Sequence, residues 1–133
     1  MSDTSSPHQV VHSDGAPRAI GPYSQAIAAG DWIFSAGQLG LDPATGELVD
    51  GGVQEQTRRA LENIKAVLEA AGASLRDVVK ATIYVVDLGD YKLVNALWAE
   101  YFPVAPPART TVQVAALPRG GLIEFDVVAH RQG

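Results

Sequence analysis

The sequence contains no cysteine, so disulfide bonds, thiolate catalysis and cysteine-based metal sites are excluded. Histidine is also scarce, and His8, His12 and His130 lie near the two ends of the chain without the spacing of metal ligands. We therefore predict no metal site. The glycines form neither a phosphate-binding loop nor a dinucleotide-binding fingerprint, and Ser24 does not stand in the Gly-x-Ser-x-Gly context of a hydrolase nucleophile.

Positive charge and long apolar runs are also lacking. The chain has 10 Lys and Arg against 15 Asp and Glu, a net charge of -5, which argues against the basic face of a nucleic-acid-binding protein. No apolar run approaches the roughly 18–20 residues of a membrane-spanning helix, and residues 1–9 lack the basic start and apolar stretch of a signal peptide. We expect a cytoplasmic protein without membrane or nucleic-acid partners.

What the sequence does contain is the pattern of one α+β domain. We predict a flexible N-terminal segment at 1–15, with a short first strand in it, followed by a single domain at 16–133. Apolar stripes at helical spacing predict two helices, one over Val53–Ala71 and one that Asp90 caps and that runs to Tyr101. Six strands of a mixed sheet are expected at Gln9–His12, Ser24–Ala29, Trp32–Gln38, Val78–Val86 and, twice, within Pro106–His130.

The last two strands carry polar residues at alternate positions. Glu124 and Asp126 alternate with aliphatic and aromatic residues in the final strand, and Arg109, Thr111 and Gln113 alternate with other residues in the strand before it. If the apolar positions of both strands pack under the helices, these polar residues share the helix-free face of the sheet.

That second face is also expected to be apolar, because other strands carry apolar residues at consecutive positions. Trp32, Ile33 and Phe34 follow one another, and Ile83 is followed by Tyr84 and two valines. Two helices cover only one face of a six-stranded sheet. The pattern therefore predicts that the other face is buried by oligomerisation.

Arg109 and Glu124 have two interpretations. They form either a structural ion pair between neighbouring strands, or a site in which the planar guanidinium binds a carboxylate and the glutamate orients water or moves a proton. Burial of their face favours the second interpretation, because a buried guanidinium needs an anionic partner.

Several motifs occur in a fixed order along the chain, above all AIGPYSQAI, AGQLGLDPATGEL, VNALWAEYF and PPARTTVQVAALPRGGLIEFDVVA. From about Ala16 to Arg131 the sequence that carries them resembles the RidA/YjgF family of reactive-intermediate (enamine/imine) deaminases. The resemblance implies a chorismate-mutase-like α+β fold, in which a six-stranded mixed sheet carries two helices on one face. It also implies that the other face is buried in a homotrimer with clefts between its subunits.

The resemblance further implies a reaction, the hydrolytic deamination of 2-imino and enamine acids such as 2-iminobutanoate and 2-iminopropanoate. The products are a 2-oxo acid and ammonia, and no cofactor is implied because the imine carbon is already electrophilic. Arg109 would anchor the substrate carboxylate, Glu124 would hold or activate water, and Tyr23 would lie at the cleft. The other implied substrate contacts are the backbone near Gly37 and at Thr111, and Tyr91 and Asn95 from the neighbouring subunit.

The chain departs from the family pattern at two positions. Ala36 stands where many members have serine, which removes a hydroxyl from the cleft, and Thr111 stands where cysteine is common. Two other functions remain open from the sequence. One is a trimer that binds 2-oxo acids without turnover or acts as a chaperone; the other is an RNA-cleaving translation inhibitor, against which the net negative charge argues.

Overall fold

The computed structural model describes residues 7–132, and these residues form seven strands and two α-helices. The helices are α1 (Gly52–Ala70) and α2 (Tyr91–Tyr101). The strands are β1 (Gln9–Val11), β2 (Ala26–Ala29), β3 (Trp32–Ser35), β4 (Gln38–Leu39), β5 (Val78–Val85), β6 (Ala108–Gln113) and β7 (Ile123–His130). The N-terminal segment predicted at 1–15 lies in part outside the described residues.

Six of the strands form a mixed sheet in the order β1-β2-β3-β7-β5-β6, and β4 pairs with β7 beside this path. Every pairing is antiparallel except that of β5 with β6. The sequence predicted one strand over Trp32–Gln38, but this segment divides into β3 and β4, because its register against β7 shifts by one residue and the N–H of Val127 donates to Oγ of Ser35 (2.9 Å) instead of to a backbone carbonyl. The α+β fold class predicted from the sequence is confirmed.

Both helices lie close to their predicted positions. The chain leaves α1 at Gly72, which has a φ of 78° and donates its N–H to the carbonyl of Glu69 (3.1 Å), as a left-handed glycine after a helix does. Asp90 precedes α2, but its side chain makes no capping hydrogen bond. The capping carboxylate belongs to Asp87, which accepts from the N–H of Gly89 (2.8 Å) one turn earlier.

The hydrophobic core lies between the helices and one face of the sheet. Ile33, Ile83 and Phe125 are fully buried there, and Trp98 of α2 stacks on Phe125 with ring centroids 5.6 Å apart. The alternate positions of the strands point to the opposite, helix-free face. Within one protomer this second face remains partly open and apolar, since Trp32 is 45% exposed and Phe34 is 46% exposed.

The side chains of β6 do not face the way that the sequence predicted. Ile83 pairs with both Thr111 and Phe125, so Thr111 lies on the helix-covered face. Arg109 lies two residues before Thr111 and shares that face, whereas Glu124 points to the helix-free face. β6 is an edge strand, and polar side chains of α2 lie next to it, so its polar positions turn toward the helix. The residues whose predicted face is wrong are Arg109, Thr111 and Gln113.

No helix among residues 7–132 has the length and apolar content needed to cross a membrane.

Candidate active site

Glu124 and Gly37 are in direct contact on the helix-free side of the sheet. A Cβ atom built on Gly37 would lie 2.6 Å from Oε2 of Glu124 and 2.7 Å from its Cδ, closer than carbon approaches such atoms. Only glycine therefore leaves room for the Glu124 carboxyl group in this position. Leu39 and Tyr84 flank Glu124 as its cross-strand neighbours on β4 and β5.

The Glu124 carboxyl group is half-buried and has no hydrogen-bond or ion-pair partner within residues 7–132. Burial raises its pKa above the ordinary range for glutamate, and the nearby negative charge of Asp126 raises it further. A carboxyl group with a raised pKa and free oxygens is suited to taking up and releasing a proton.

Beside Glu124 lies a cleft of about 290 Å³, between the loop around Ile20, β4 and the turn that begins at Pro118. Tyr23 lines this cleft and is 54% exposed. Its hydroxyl oxygen accepts a hydrogen bond from the N–H of Ile20 (3.2 Å), so the phenolic proton remains available for donation toward the cleft. The structure thus brings together three of the residues singled out in the sequence: Tyr23, Gly37 and Glu124.

Gln25 holds the wall of this cleft and was not identified from the sequence. It is buried, its Oε1 accepts from the N–H of Ser13 (2.7 Å), and its Nε2 donates to the carbonyls of Ser13 (3.0 Å) and Pro17 (2.8 Å). A buried amide that makes several bonds to one loop fixes the path of that loop. The signal was present in the motif PYSQA, where a glutamine stands directly before an apolar strand.

Arg119 is a second cleft residue that the sequence analysis did not single out. It has a φ of 63°, a left-handed conformation that is uncommon for arginine, and its Nη2 donates to the carbonyl of Gly46 (2.7 Å). This bond ties the turn that begins at Pro118 to the turn that contains Gly46. The Pro-Arg-Gly-Gly segment indicated a turn, but nothing in its pattern indicated which loop it would contact.

Arg109 lies on the other face of the sheet, next to α2. Its Nη2 donates to Oδ1 of Asn95 (2.6 Å) and to the hydroxyl of Tyr91 (3.2 Å). Its Cζ lies 5.5 Å from the ring centroids of both Tyr91 and Trp98. Tyr91, Asn95 and Trp98 follow one another at spacings of four and three residues, so they share one face of the helix.

The guanidinium of Arg109 has no carboxylate partner among residues 7–132. Thr111, two residues farther along the same face, has a buried Oγ1 that lacks a hydrogen-bond partner in the same part of the chain. A half-buried arginine oriented by neutral groups, beside an unpaired hydroxyl, has donors available for an anion. Trp98 also contacts this arginine, although the sequence analysis placed it only on a helix face, without a site role.

The predicted site residues thus fall into two groups on opposite faces of the sheet. We call them the Glu124 group, made of Tyr23, Gly37 and Glu124, and the Arg109 group, made of Tyr91, Asn95, Arg109 and Thr111. The structural ion pair between Arg109 and Glu124 that the sequence left open does not exist within one protomer. Among residues 7–132, moreover, no three His, Asp or Glu side chains form a cluster able to hold a metal ion.

Comparison with known proteins gives consistent matches over nearly the whole chain. A sequence model of the family described as Endoribonuclease L-PSP matches residues 13–131. A RutC family protein of Pyrococcus horikoshii is 51% identical over 124 residues, which are 93% of this chain and 98% of that protein. A 2-iminobutanoate/2-iminopropanoate deaminase of Bos taurus is 47% identical over 121 residues, which are 91% of this chain and 88% of that protein.

Solved structures give the same result. RidA from the Antarctic bacterium Psychrobacter has a TM-score of 0.89 and 44% identity to this chain, with coverage of 92% of this chain and 98% of that one. The fold is therefore that of an α+β protein with two helices on one face of a mixed sheet. The chain belongs to the RidA/YjgF family.

Proposed function

We propose that this chain hydrolyses the C=N bond of small 2-imino acids, of the 2-iminobutanoate and 2-iminopropanoate type, in a cleft shared by two copies of the chain. Water adds to the imine carbon to give a carbinolamine, and the carbinolamine loses ammonia to leave a 2-oxo acid. The imine carbon is electrophilic by itself, so the chemistry needs positioning and proton transfer rather than a cofactor.

The state of Arg109 is the observation that supports this function most strongly. Its guanidinium is oriented by Asn95 and Tyr91 and is not neutralised by a carboxylate within residues 7–132. The planar fork of donors matches the carboxylate that every 2-imino acid carries next to its reactive carbon. The unpaired Oγ1 of Thr111 lies on the same face and offers a further donor to that anion.

Glu124 supplies the proton transfer in this proposal. In the addition step one proton leaves water and one reaches the imine nitrogen, and in the collapse step one leaves the carbinolamine hydroxyl and one reaches the departing nitrogen. Glu124 carries the proton from oxygen to nitrogen in both steps and is unchanged at the end. Its raised pKa and unpaired oxygens support this assignment. Tyr23 lies across the same cleft, where its hydroxyl can donate to the substrate.

A second copy of the chain is required because the Arg109 group and the Glu124 group lie on opposite faces of one sheet. We propose a homotrimer in which the Arg109 group of one subunit completes the cleft beside the Glu124 group of the next. The exposed apolar residues of the helix-free face support such an assembly, since Trp32 and Phe34 would otherwise face water.

The names of the relatives support an imine deaminase without agreeing on one activity. Relatives from cow, goat and mouse are named 2-iminobutanoate/2-iminopropanoate deaminase. The archaeal relatives are named only as RutC family proteins, and the matching family model is described as an endoribonuclease.

We place the activity in the cytoplasm, where pyridoxal-phosphate-dependent dehydratases release 2-imino acids.

A coupled assay tests the proposed function. A threonine dehydratase generates 2-iminobutanoate from threonine, and ammonia release is followed with and without this protein. We expect faster release with the wild-type chain and no acceleration with Glu124→Gln at equal concentration. Binding of 2-oxobutanoate without acceleration would instead support a non-catalytic binding protein, and cleavage of single-stranded RNA without imine hydrolysis would support the ribonuclease.

A further inference from the structure

Asp126 lies two residues beyond Glu124 on β7, so both carboxyl groups point to the helix-free face. The hydroxyl of Tyr84 donates to Oδ2 of Asp126 at 2.8 Å. Tyr84 is also the cross-strand neighbour of Glu124 on β5. One tyrosine therefore stands beside Glu124 while its hydroxyl holds the carboxylate of Asp126, and these three side chains form what we call the carboxylate cluster.

The electrostatics of the carboxylate cluster agree with its geometry. The hydrogen bond to Asp126, followed by burial, raises the pKa of Tyr84, as expected for a phenol that donates to a carboxylate. The negative charge of Asp126 is in turn the charged neighbour that raises the pKa of Glu124, after burial. Asp126 thus acts on Glu124 through its charge while its oxygen is bonded to Tyr84.

The other charged or titratable side chains on the helix-free face and in the adjacent cleft have contacts of their own or line the cleft. Lys80, on the same face of β5, donates to Oγ1 of Thr110 (3.0 Å) and to the carbonyl of Ala81 (3.3 Å). Arg119 donates to the carbonyl of Gly46, and His130 packs its ring against Trp32 with centroids 4.6 Å apart. Arg18 and Tyr23 line the cleft beside Glu124.

We propose that Asp126 is a positioning residue for Glu124, and that its negative charge, held in place by the Tyr84 hydroxyl, makes Glu124 retain the proton that it carries from oxygen to nitrogen. This inference rests on the proposed function and adds a residue to its mechanism. When Glu124 is ionised, two negative charges lie two residues apart on one face of β7. Uptake of the proton from water removes this repulsion, so the uptake step is favoured.

Carboxyl-carbon NMR of the full-length protein tests this inference without requiring catalysis. The wild type, Asp126→Asn and Tyr84→Phe are titrated, and the midpoint of Glu124 is followed in each. Asp126→Asn keeps the shape and can still bond to Tyr84, but it removes the charge. Its Glu124 midpoint should therefore move to lower pH, so that the protonated fraction at the wild-type midpoint falls from one half to roughly one quarter or less.

Tyr84→Phe is the complementary control, because it removes the hydrogen bond to Asp126 and keeps the charge of Asp126. Its Glu124 midpoint should stay closer to the wild-type value than that of Asp126→Asn does. In the imine assay, the acid limb of the pH–rate profile should shift to lower pH in Asp126→Asn by the amount measured by NMR. In Asp126→Glu, which keeps the charge, the acid limb of the pH–rate profile should stay at its wild-type position.

The outcomes for the inference and for the proposed function are distinct. An unmoved Glu124 midpoint in Asp126→Asn, or equal shifts in Asp126→Asn and Tyr84→Phe, overturns the inference even if the wild type hydrolyses imines. Failure of the wild type to hydrolyse any 2-imino acid overturns the proposed function, while the NMR titration still decides whether Asp126 controls the proton on Glu124. If Asp126→Asn does not fold, Asp126→Ser takes its place: loss of the charge should move the Glu124 midpoint to lower pH, whereas Asp126→Glu and Tyr84→Phe should stay close to the wild type, and an unmoved midpoint in Asp126→Ser overturns the inference.

Discussion

Arg109 and Glu124 lie on opposite faces of one sheet, although their strands β6 and β7 both pair with β5. Ile83 of β5 pairs with both Thr111 and Phe125, so these three side chains share one face of the sheet. Arg109, two residues before Thr111, lies on that face, and Glu124, the neighbour of Phe125, lies on the opposite face. An arginine and a glutamate in these positions cannot serve one substrate within a single protomer. A site that uses both requires a surface from a second copy of the chain.

Mixing two inactive variants tests this requirement. Arg109→Ala and Glu124→Gln chains are unfolded together in equal amounts and refolded, so that the proposed trimers form with mixed composition. A cleft is intact when one subunit supplies Arg109 and its neighbour supplies Glu124, so about one quarter of the clefts should regain activity in a random mixture. Separately refolded samples of each variant serve as controls. Recovery of no activity from mixed trimers would contradict the shared cleft.

Replacement of Arg109 by lysine separates charge from geometry. Lysine keeps the positive charge but loses the planar pair of donors, and a hydrogen bond to a charged group contributes on the order of 1.5–3 kcal/mol. We expect Arg109→Lys to bind 2-oxo acids almost as poorly as Arg109→Ala and to form trimers of normal size. Arg58→Lys is the matched control, because Arg58 forms an exposed ion pair with Glu100 (3.1 Å) and belongs to neither group.

Thermal stability and imine hydrolysis are measured on the same Arg109 samples. Full activity in a destabilised Arg109→Ala trimer would show that the arginine only supports the sheet and does not bind substrate.

The spacing of apolar residues and the residue types at turns made much of this fold predictable from the sequence. The helical stripe of α1 and the glycine that ends it, the β-branched run of β5 and the alternation of β7 each have a local cause. The break after Ser35 was not predictable, because it depends on a bond from the N–H of Val127, on another strand, to Oγ of Ser35. Local patterns do not specify such a partner.

The face of β6 could not be predicted for a related reason. Alternation shows that Arg109 and Val112 point in opposite directions, but not which of them faces the helices. At an edge strand, which side chains face the helices depends on the side chains of α2 that lie next to the strand. Asn95 and Tyr91 bond to Arg109 and decide it. The residue types of the candidate site were thus chosen from the sequence, whereas their division between two faces required the three-dimensional structure.

Gly37→Ala tests whether the Glu124 carboxyl group must stay where it lies. A Cβ at this position would collide with Oε2 at 2.6 Å, so the carboxyl group must move while the backbone remains in place. We expect turnover to fall by roughly 10–10²-fold with little change in the melting temperature, since small misplacements of a reacting group are costly. Gly89→Ala is the control, because its new Cβ would meet only the side chain of Asp87 at 3.0 Å on an exposed turn. Equal activity of the two variants would argue against a positional requirement at Gly37.

Phe34→Lys tests the assembly. Phe34 points to the helix-free face between Ile27 and Val128, and a buried lysine there would oppose close packing of a second copy. We expect light scattering to show a trimer for the wild type and dissociated chains for the variant, which should also lose imine hydrolysis while its helical content stays unchanged. Val104→Lys is the control, because Val104 is 83% exposed on the loop after α2 and should tolerate the charge. A monomeric Phe34→Lys protein with full activity would contradict the shared cleft.

Glu124→Gln should lose activity and gain stability at neutral pH. Burial and the charge of Asp126 raise the pKa of Glu124, so the folded chain holds that proton more tightly than the unfolded chain does. Stability therefore falls as pH rises from the ordinary range of glutamate through the raised pKa. Glutamine cannot ionise, so the variant should melt at a higher temperature than the wild type at about pH 7, and the difference should vanish in acid, where Glu124 is protonated in both states.

Turnover of Glu124→Gln should fall by about 10² or more, because the proton carrier is gone. Glu55→Gln on the exposed first turn of α1 is the control and should change neither property in this way. A Glu124→Gln protein that melts below the wild type at neutral pH, or that hydrolyses imines normally, would show that Glu124 is held for the fold rather than for proton transfer.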